Sequence, residues 1–141
     1  MRALLEEEAA LGMDGHAYYR DFAVRVERAA RALRERLADL KRGGARLAAY
    51  GAAAKGATLL NYAGIGAETL DFVVDRNVHK QGRYMPGVRL PIRDPAELLA
   101  RQPDYVLLLA WNFRDEILAQ QAEYRQRGGR FVVPIPAPEI V

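Results

Sequence analysis

The chain has 141 residues, half of them hydrophobic, a net charge of +3 and no cysteine. That length fits one domain with a sizeable core, and no apolar run approaches the roughly 20 residues a membrane helix needs, so no membrane association is expected. Disulfides, thiolate nucleophiles and thiolate metal sites are excluded within these residues, which suits a reducing, cytoplasmic setting.

The opening MRALLEEEAALG is acidic where a secretory signal would be basic and then apolar, so no targeting peptide is read. Arg2 to Leu11 reads as a short helix stopped by Gly12, and Asp14 is placed to cap a second. In that second, long helix, Tyr19, Ala23, Val26, Ala30, Leu33, Leu37 and Leu40 alternate spacings of four and three and fall on one stripe, ending at Gly43-Gly44. The stripe predicts packing on a sheet or a neighbouring domain; a dimer seam is the alternative, weakened by alanine at two of its positions. Much of the positive charge lies between Arg20 and Arg46 without interleaved aromatics, so nucleic acid is not an expected partner.

From Arg46 onward short apolar strands alternate with helices, the pattern of an α/β fold with a doubly wound parallel sheet. Five strands are expected, at Leu47–Tyr50, Leu70–Val74, Val88–Ile92, Tyr105–Ala110 and Phe131–Val133. YVLLLA, residues 105–110, is continuously apolar and predicts a central strand buried on both faces. Pro91 lacks a ladder donor and sends the third strand to an edge, and right-handed crossovers then favour the order 3-2-1-4-5. Asp94, Pro95 and Glu97 read as a capping box, Asn112 as the cap of a further helix and Gly128-Gly129 as its end. The tail PIPAP, residues 134–138, is expected to run extended along the surface.

The centre of interest is RLAAYGAAAKGATLLNY, residues 46–62, a strand entering a glycine-bounded loop that opens a helix. Unpaired N–H groups and the positive dipole end at a helix start suit an anion, and Lys55 adds a full charge. The loop Gly51–Gly56 lacks the central glycine of GxGxxG, and its lysine precedes Gly56 where a P-loop lysine would follow a glycine. Ordinary dinucleotide binding and ATP hydrolysis are therefore not supported; anion or nucleotide binding is one reading and a plain strand-to-helix turn the other. Asp75 falls 24 positions after Gly51, near the spacing at which such folds place an acid for ribose hydroxyls. Arg76, Lys80 and Arg83 offer charge for a diphosphate, although charged loops are more often simply solvated. His79 has no second histidine nearby, so no histidine metal site is read. Trp111 has two roles open to it: stacking on a base or packing on the first loop.

YGAAAKGATLLNYAGI, VVDRNVHKQGRYMPGVRLPI, PDYVLLLAWNFRDEI and GGRFVVPIP, in that order, resemble the C-terminal domain of the SAM-dependent sugar C-methyltransferases. The resemblance implies a Rossmann-like nucleotide-sugar-binding domain over residues 43–141 and a helical connector over residues 1–42. It implies that zinc and SAM belong to upstream domains, leaving no cofactor in this chain, and that the partners are a nucleotide-diphosphate sugar and the upstream SAM-binding domain of the same polypeptide. Gly51, Lys55, Gly56, Asn61, Asp75, Lys80, Trp111 and Asn112 match the family's pattern and are the expected substrate-binding residues, with no catalytic residue in this chain. The expected function is substrate holding for methylation of a keto-deoxysugar, inactive without the SAM domain. A freestanding module for NAD, CoA or another nucleotide is the alternative, since GAAAKG is also similar to CoA-binding loops; a helix-mediated scaffold is a third reading.

Overall fold

A computed structural model describes residues 2–141, so Met1, the first residue of the expected connector, lies outside it. Its centre is a sheet in the order β3-β2-β1-β4-β5-β6. The strands are β1 (Leu47–Tyr50), β2 (Val73–Val74), β3 (Ile92–Arg93), β4 (Tyr105–Leu108), β5 (Arg130–Val133) and β6 (Glu139–Ile140). The first five are parallel in the expected order, and β6 adds an antiparallel edge with Val132 opposite Ile140. The tail was expected only to run along the surface; after 134–138 it turns back, and Val141 and Phe131 exchange both backbone hydrogen bonds.

Side chains alternate across each strand, so β1 supplies two cores. Leu47 and Ala49 meet Leu33, Leu37, Leu60 and Leu107 on one face, while Ala48 and Tyr50 meet Val106, Leu108, Ile117 and Tyr124 on the other. Val106 to Leu109 are all fully buried, as a continuously apolar central strand requires.

The first face is covered by α2 (His16–Arg42) and α3 (Ala54–Ala63), the second by α4 (Glu97–Arg101), α5 (Arg114–Gln120) and α6 (Ala122–Gln126). Only the C-terminal half of the α2 stripe reaches the sheet: Ala30, Leu33 and Leu37 are buried, while Tyr19 at its start stays more than half exposed, as does Phe22 beside the stripe. The helix starts after Gly15 with no side-chain cap, so Asp14 does not perform the role its position suggested, and Gly43 and Gly44 end it as expected. Before it, α1 (Arg2–Ala10) buries none of its residues.

Three expected strands are shorter than read: Leu70–Val74 is a strand only at Val73–Val74, Tyr105–Ala110 ends at Leu108, and Val88–Ile92 keeps Ile92 alone, extended to Arg93. Residues 82–92 fold back as a tight loop in which Met85 N–H donates to Leu90 O and Ile92 N–H to Arg83 O, with Gly87 and Arg89 at positive φ. Val88–Leu90 therefore turns, and β3 begins only after Pro91. The Asp94 carboxylate does accept from Ala96 N–H at 2.8 Å, but Glu97 reaches forward to Arg101 rather than back, so the capping box closes on one side only. Past β4, the chain enters a 3-10 turn (Trp111–Phe113) before α5, and Gln121 divides the predicted single helix into α5 and α6.

Candidate functional site

The strand order reverses between the parallel neighbours β1 and β4. The chain leaves β1 towards β2 and leaves β4 towards β5, so a crevice opens beyond their C-terminal ends. The Gly51–Gly56 loop and the 3-10 turn at 111–113 face each other across it. Two glycines allow that approach. Gly51 has φ of +99°, and a Cβ there would sit 2.8 Å from the Ala110 Cβ; a Cβ on Gly56 would sit 2.8 Å from that of Leu109. Gly51 thus lets the loop meet the end of β4, and Gly56 lets α3 lie close on the sheet.

Lys55 stands in the first turn of α3. Its Nζ donates to Asn112 Oδ1 and lies 4.5 Å from the centre of the Trp111 ring. Both partners are neutral, and among the described residues no carboxylate pairs with Lys55, so its charge stays uncompensated at the crevice. Asn112 lies inside the 3-10 turn and caps no helix, correcting that sequence reading; α5 starts at Arg114, and the amide instead joins the two sides of the crevice.

A second cluster braces the same loop from β2. Asp75 accepts from Ala52 N–H at 2.7 Å and Asn77 N–H at 2.8 Å, and Lys80 Nζ lies 3.4 Å away while donating to Ala52 O at 2.8 Å. The Asp75 side chain is only 13% exposed, so a ribose hydroxyl would compete with three donors for its oxygens. Asp75 and Lys80 together fix both polar groups of the Ala52 backbone.

Asn61 stands apart from both clusters. Two turns into α3, its amide donates to Ala57 O and Pro86 O, and Gly87 packs so closely on it that a Cβ would overlap the amide. The structure thus gathers Gly51, Lys55, Gly56, Trp111 and Asn112 around the crevice and Asp75 and Lys80 beneath its loop, while Asn61 ties α3 to the 82–92 loop. Arg76 reaches across to Glu116 at 3.5 Å. His79 and Arg83 are exposed, and the His79 backbone N–H donates to Asn77 Oδ1.

Sequence reasoning missed a pocket of about 360 Å³ on the α5 side of this loop, bounded by Tyr50, Ala53, Arg76, Phe113, Glu116 and Gln120. Burial pushes the Tyr50 hydroxyl above its ordinary value of 10.0, opposed by the nearby Arg76 charge. Glu116 and Gln120 were legible as an i,i+4 pair on the first helix after the switch strand, but nothing in their spacing says which way that helix faces.

A family model described as the C-methyltransferase C-terminal domain matches residues 1–136. The chain belongs to that family. A curated relative, the C-methyltransferase NovU of Streptomyces niveus, is 41% identical over 138 residues, covering 98% of this chain and 33% of the relative. The chain therefore spans about a third of that relative's length. Among the described residues no helix is long and apolar enough to cross a membrane.

Proposed function

We propose that this C-methyltransferase C-terminal domain holds a nucleotide-activated keto-deoxysugar while another part of the full protein methylates it. The observation that carries the reading is Lys55, an uncompensated cation at the start of α3, held against Trp111 and Asn112 across the switch point. A diphosphate there meets the lysine charge and the free N–H groups of the helix start. The loop that receives it is rigid beforehand, because Asp75 and Lys80 occupy the Ala52 N–H and carbonyl.

In this scheme SAM supplies the methyl group. A base outside this chain would remove the proton beside the keto group, and SAM bound in the remainder of the protein would supply the methyl group for that carbon. Zinc and SAM are assigned to the remainder of the protein and no residue of this chain to either. The contribution of the C-terminal domain is orientation of the reacting carbon, worth several kcal/mol, roughly, in comparable systems. Its exposed N-terminal helices are the proposed connection to the SAM-binding domain, and the setting is cytoplasmic.

Thermal melts of the chain with TDP or UDP test the reading. At about 100 times its dissociation constant either ligand should stabilise the fold by about 2.7 kcal/mol. Lys55→Ala should abolish most of that shift, and no methyl transfer is expected from the chain alone. No shift at millimolar nucleotide would overturn nucleotide holding by this chain.

A further inference from the structure

We infer that the first turns of α2 form an antiparallel seam with the same turns of a second copy of this chain, giving a two-fold dimer through the part of the helix that overhangs the sheet. None of the seam residues belongs to the crevice, so the inference stands or falls independently of the nucleotide-holding reading.

The apolar stripe is continuous and its cover is not. Tyr19, Ala23, Val26 and Ala30 keep the four-three spacing that Leu33, Leu37 and Leu40 continue, so all seven project from one side of α2. From Ala30 onward that side packs into the core shared with β1, β4 and α3. Before Ala30 it is open: Ala23 is exposed, Val26 only partly covered, Tyr19 53% exposed, and Phe22 at its flank 54% exposed. Tyr18 and Tyr19 meet edge to face at 5.3 Å, which sets an aromatic patch at the head of the stripe. A stripe that runs on beyond its own core presents a docking face.

Charge says what docks there. The helix α2 carries eight basic side chains against four acidic ones, whereas α1 carries three glutamates against one arginine. Contacts across a two-fold are reciprocal, so an antiparallel second copy draws the acidic α1 of each chain towards the arginine-rich middle of the other α2. A link to the SAM-binding domain through the leading end of α1 leaves the stripe open.

The register follows from two residues. Arg20 has no acid three or four positions away on its own helix, where His16, Ala17, Ala23 and Val24 stand. Glu27 meets Arg31 at 3.5 Å, with both side chains more than 60% exposed. Arg20 and Glu27 each directly follow a stripe residue, Tyr19 and Val26, and so lie on the same flank of the stripe. In an antiparallel pair that flank faces its own copy, so Arg20 of one chain meets Glu27 of the second, and the reverse. The two-fold then passes between Ala23 and Val24. A parallel pair would set Arg20 opposite Gly15 and leave it without an acid. Exposed pairs of this kind add little affinity, but they fix direction and register.

The test is sedimentation of the chain over about a hundred-fold range of concentration, where dimer should grow with concentration. Tyr19→Ala and Phe22→Ala should each weaken association about ten-fold or more. Circular dichroism melts of the dilute, monomeric variants should stay unchanged, because neither ring is covered within its own chain. Arg20→Glu and Glu27→Lys, each creating repulsion across the seam, should both weaken association, and the double variant should restore it. The chain has no cysteine of its own, so Ala23→Cys reports orientation cleanly. It should link two chains under mild oxidation, while Ala17→Cys, whose copies lie about 20 Å apart in this register, should not. A monomer at every concentration overturns the inference and leaves the overhang to the rest of the full protein. Association untouched by Phe22→Ala, a double variant as weak as its parents, or linkage through Ala17→Cys in place of Ala23→Cys overturns it equally.

Discussion

At the scale of single residues, close packing around glycines decides most. Tyr124 is fully buried, donates to Pro103 O at 2.7 Å and stacks edge-on against Phe131. A Cβ on Gly129 would fall 2.1 Å from that ring, which has nowhere to move. Gly129→Ala should therefore cost about 3 kcal/mol or more in urea unfolding, whereas Tyr124→Phe, losing one hydrogen bond, should cost about 1–2 kcal/mol. Glu68 offers a pH test. Its carboxylate accepts from Gly66 N–H at 2.8 Å, and this bond holds it below the usual 4.5. The unfolded chain then binds the proton more readily, so the contribution of Glu68 is present above about pH 4.5 and is lost as the pH falls through the lower folded value. Glu68→Gln should flatten the fall in melting temperature between pH 5 and 3.

At the scale of elements, α2 divides into two halves with different duties. Leu33 and Leu37 are covered by the sheet, and α1 with the first turns of α2 displays Leu4, Leu5, Tyr19 and Phe22 to solvent. In this chain Leu33→Ala should cost about 2–5 kcal/mol, and Phe22→Ala should stay within about 0.5 kcal/mol. Amide hydrogen exchange should show the same boundary. Protection should be lowest in α1, where nine residues bury no side chain, and should rise along α2 past Ala30.

At the scale of the molecule, stability centres on β4, which pairs with β1 and β5 and feeds both cores. Leu107→Ala removes a side chain with no exposed surface and should cost about 2–5 kcal/mol, whereas Ile140→Ala on the β6 edge should cost far less. Burial raises the hydroxyls of both Tyr50 and Tyr124. Above about pH 10 the unfolded chain releases these protons while the folded chain keeps them, so stability should decline as the pH rises further. The same centre positions the site: the crevice exists because β1 and β4 are neighbours whose connections part in opposite directions.

The apolar run 105–110, the Pro91 restriction and the strand-helix alternation were enough to determine the α/β class, the central strand and the order 3-2-1-4-5, because each is a local consequence of burial or of a missing donor. The separated motifs were enough to indicate the family. The chain could not announce that Val88–Leu90 turns, that the tail returns as β6, or that the N-terminal half of the α2 stripe finds no sheet, since each depends on partners distant in sequence. The same holds at the site. Gly51 and Lys55 were legible because a strand-loop-helix juncture is a local motif. That Lys55 meets Asn112, that Asp75 braces Ala52, that Asn61 faces Pro86, and that Tyr50 and Glu116 share a pocket follow from how β1, β2 and β4 lie side by side, and tertiary packing alone decides that.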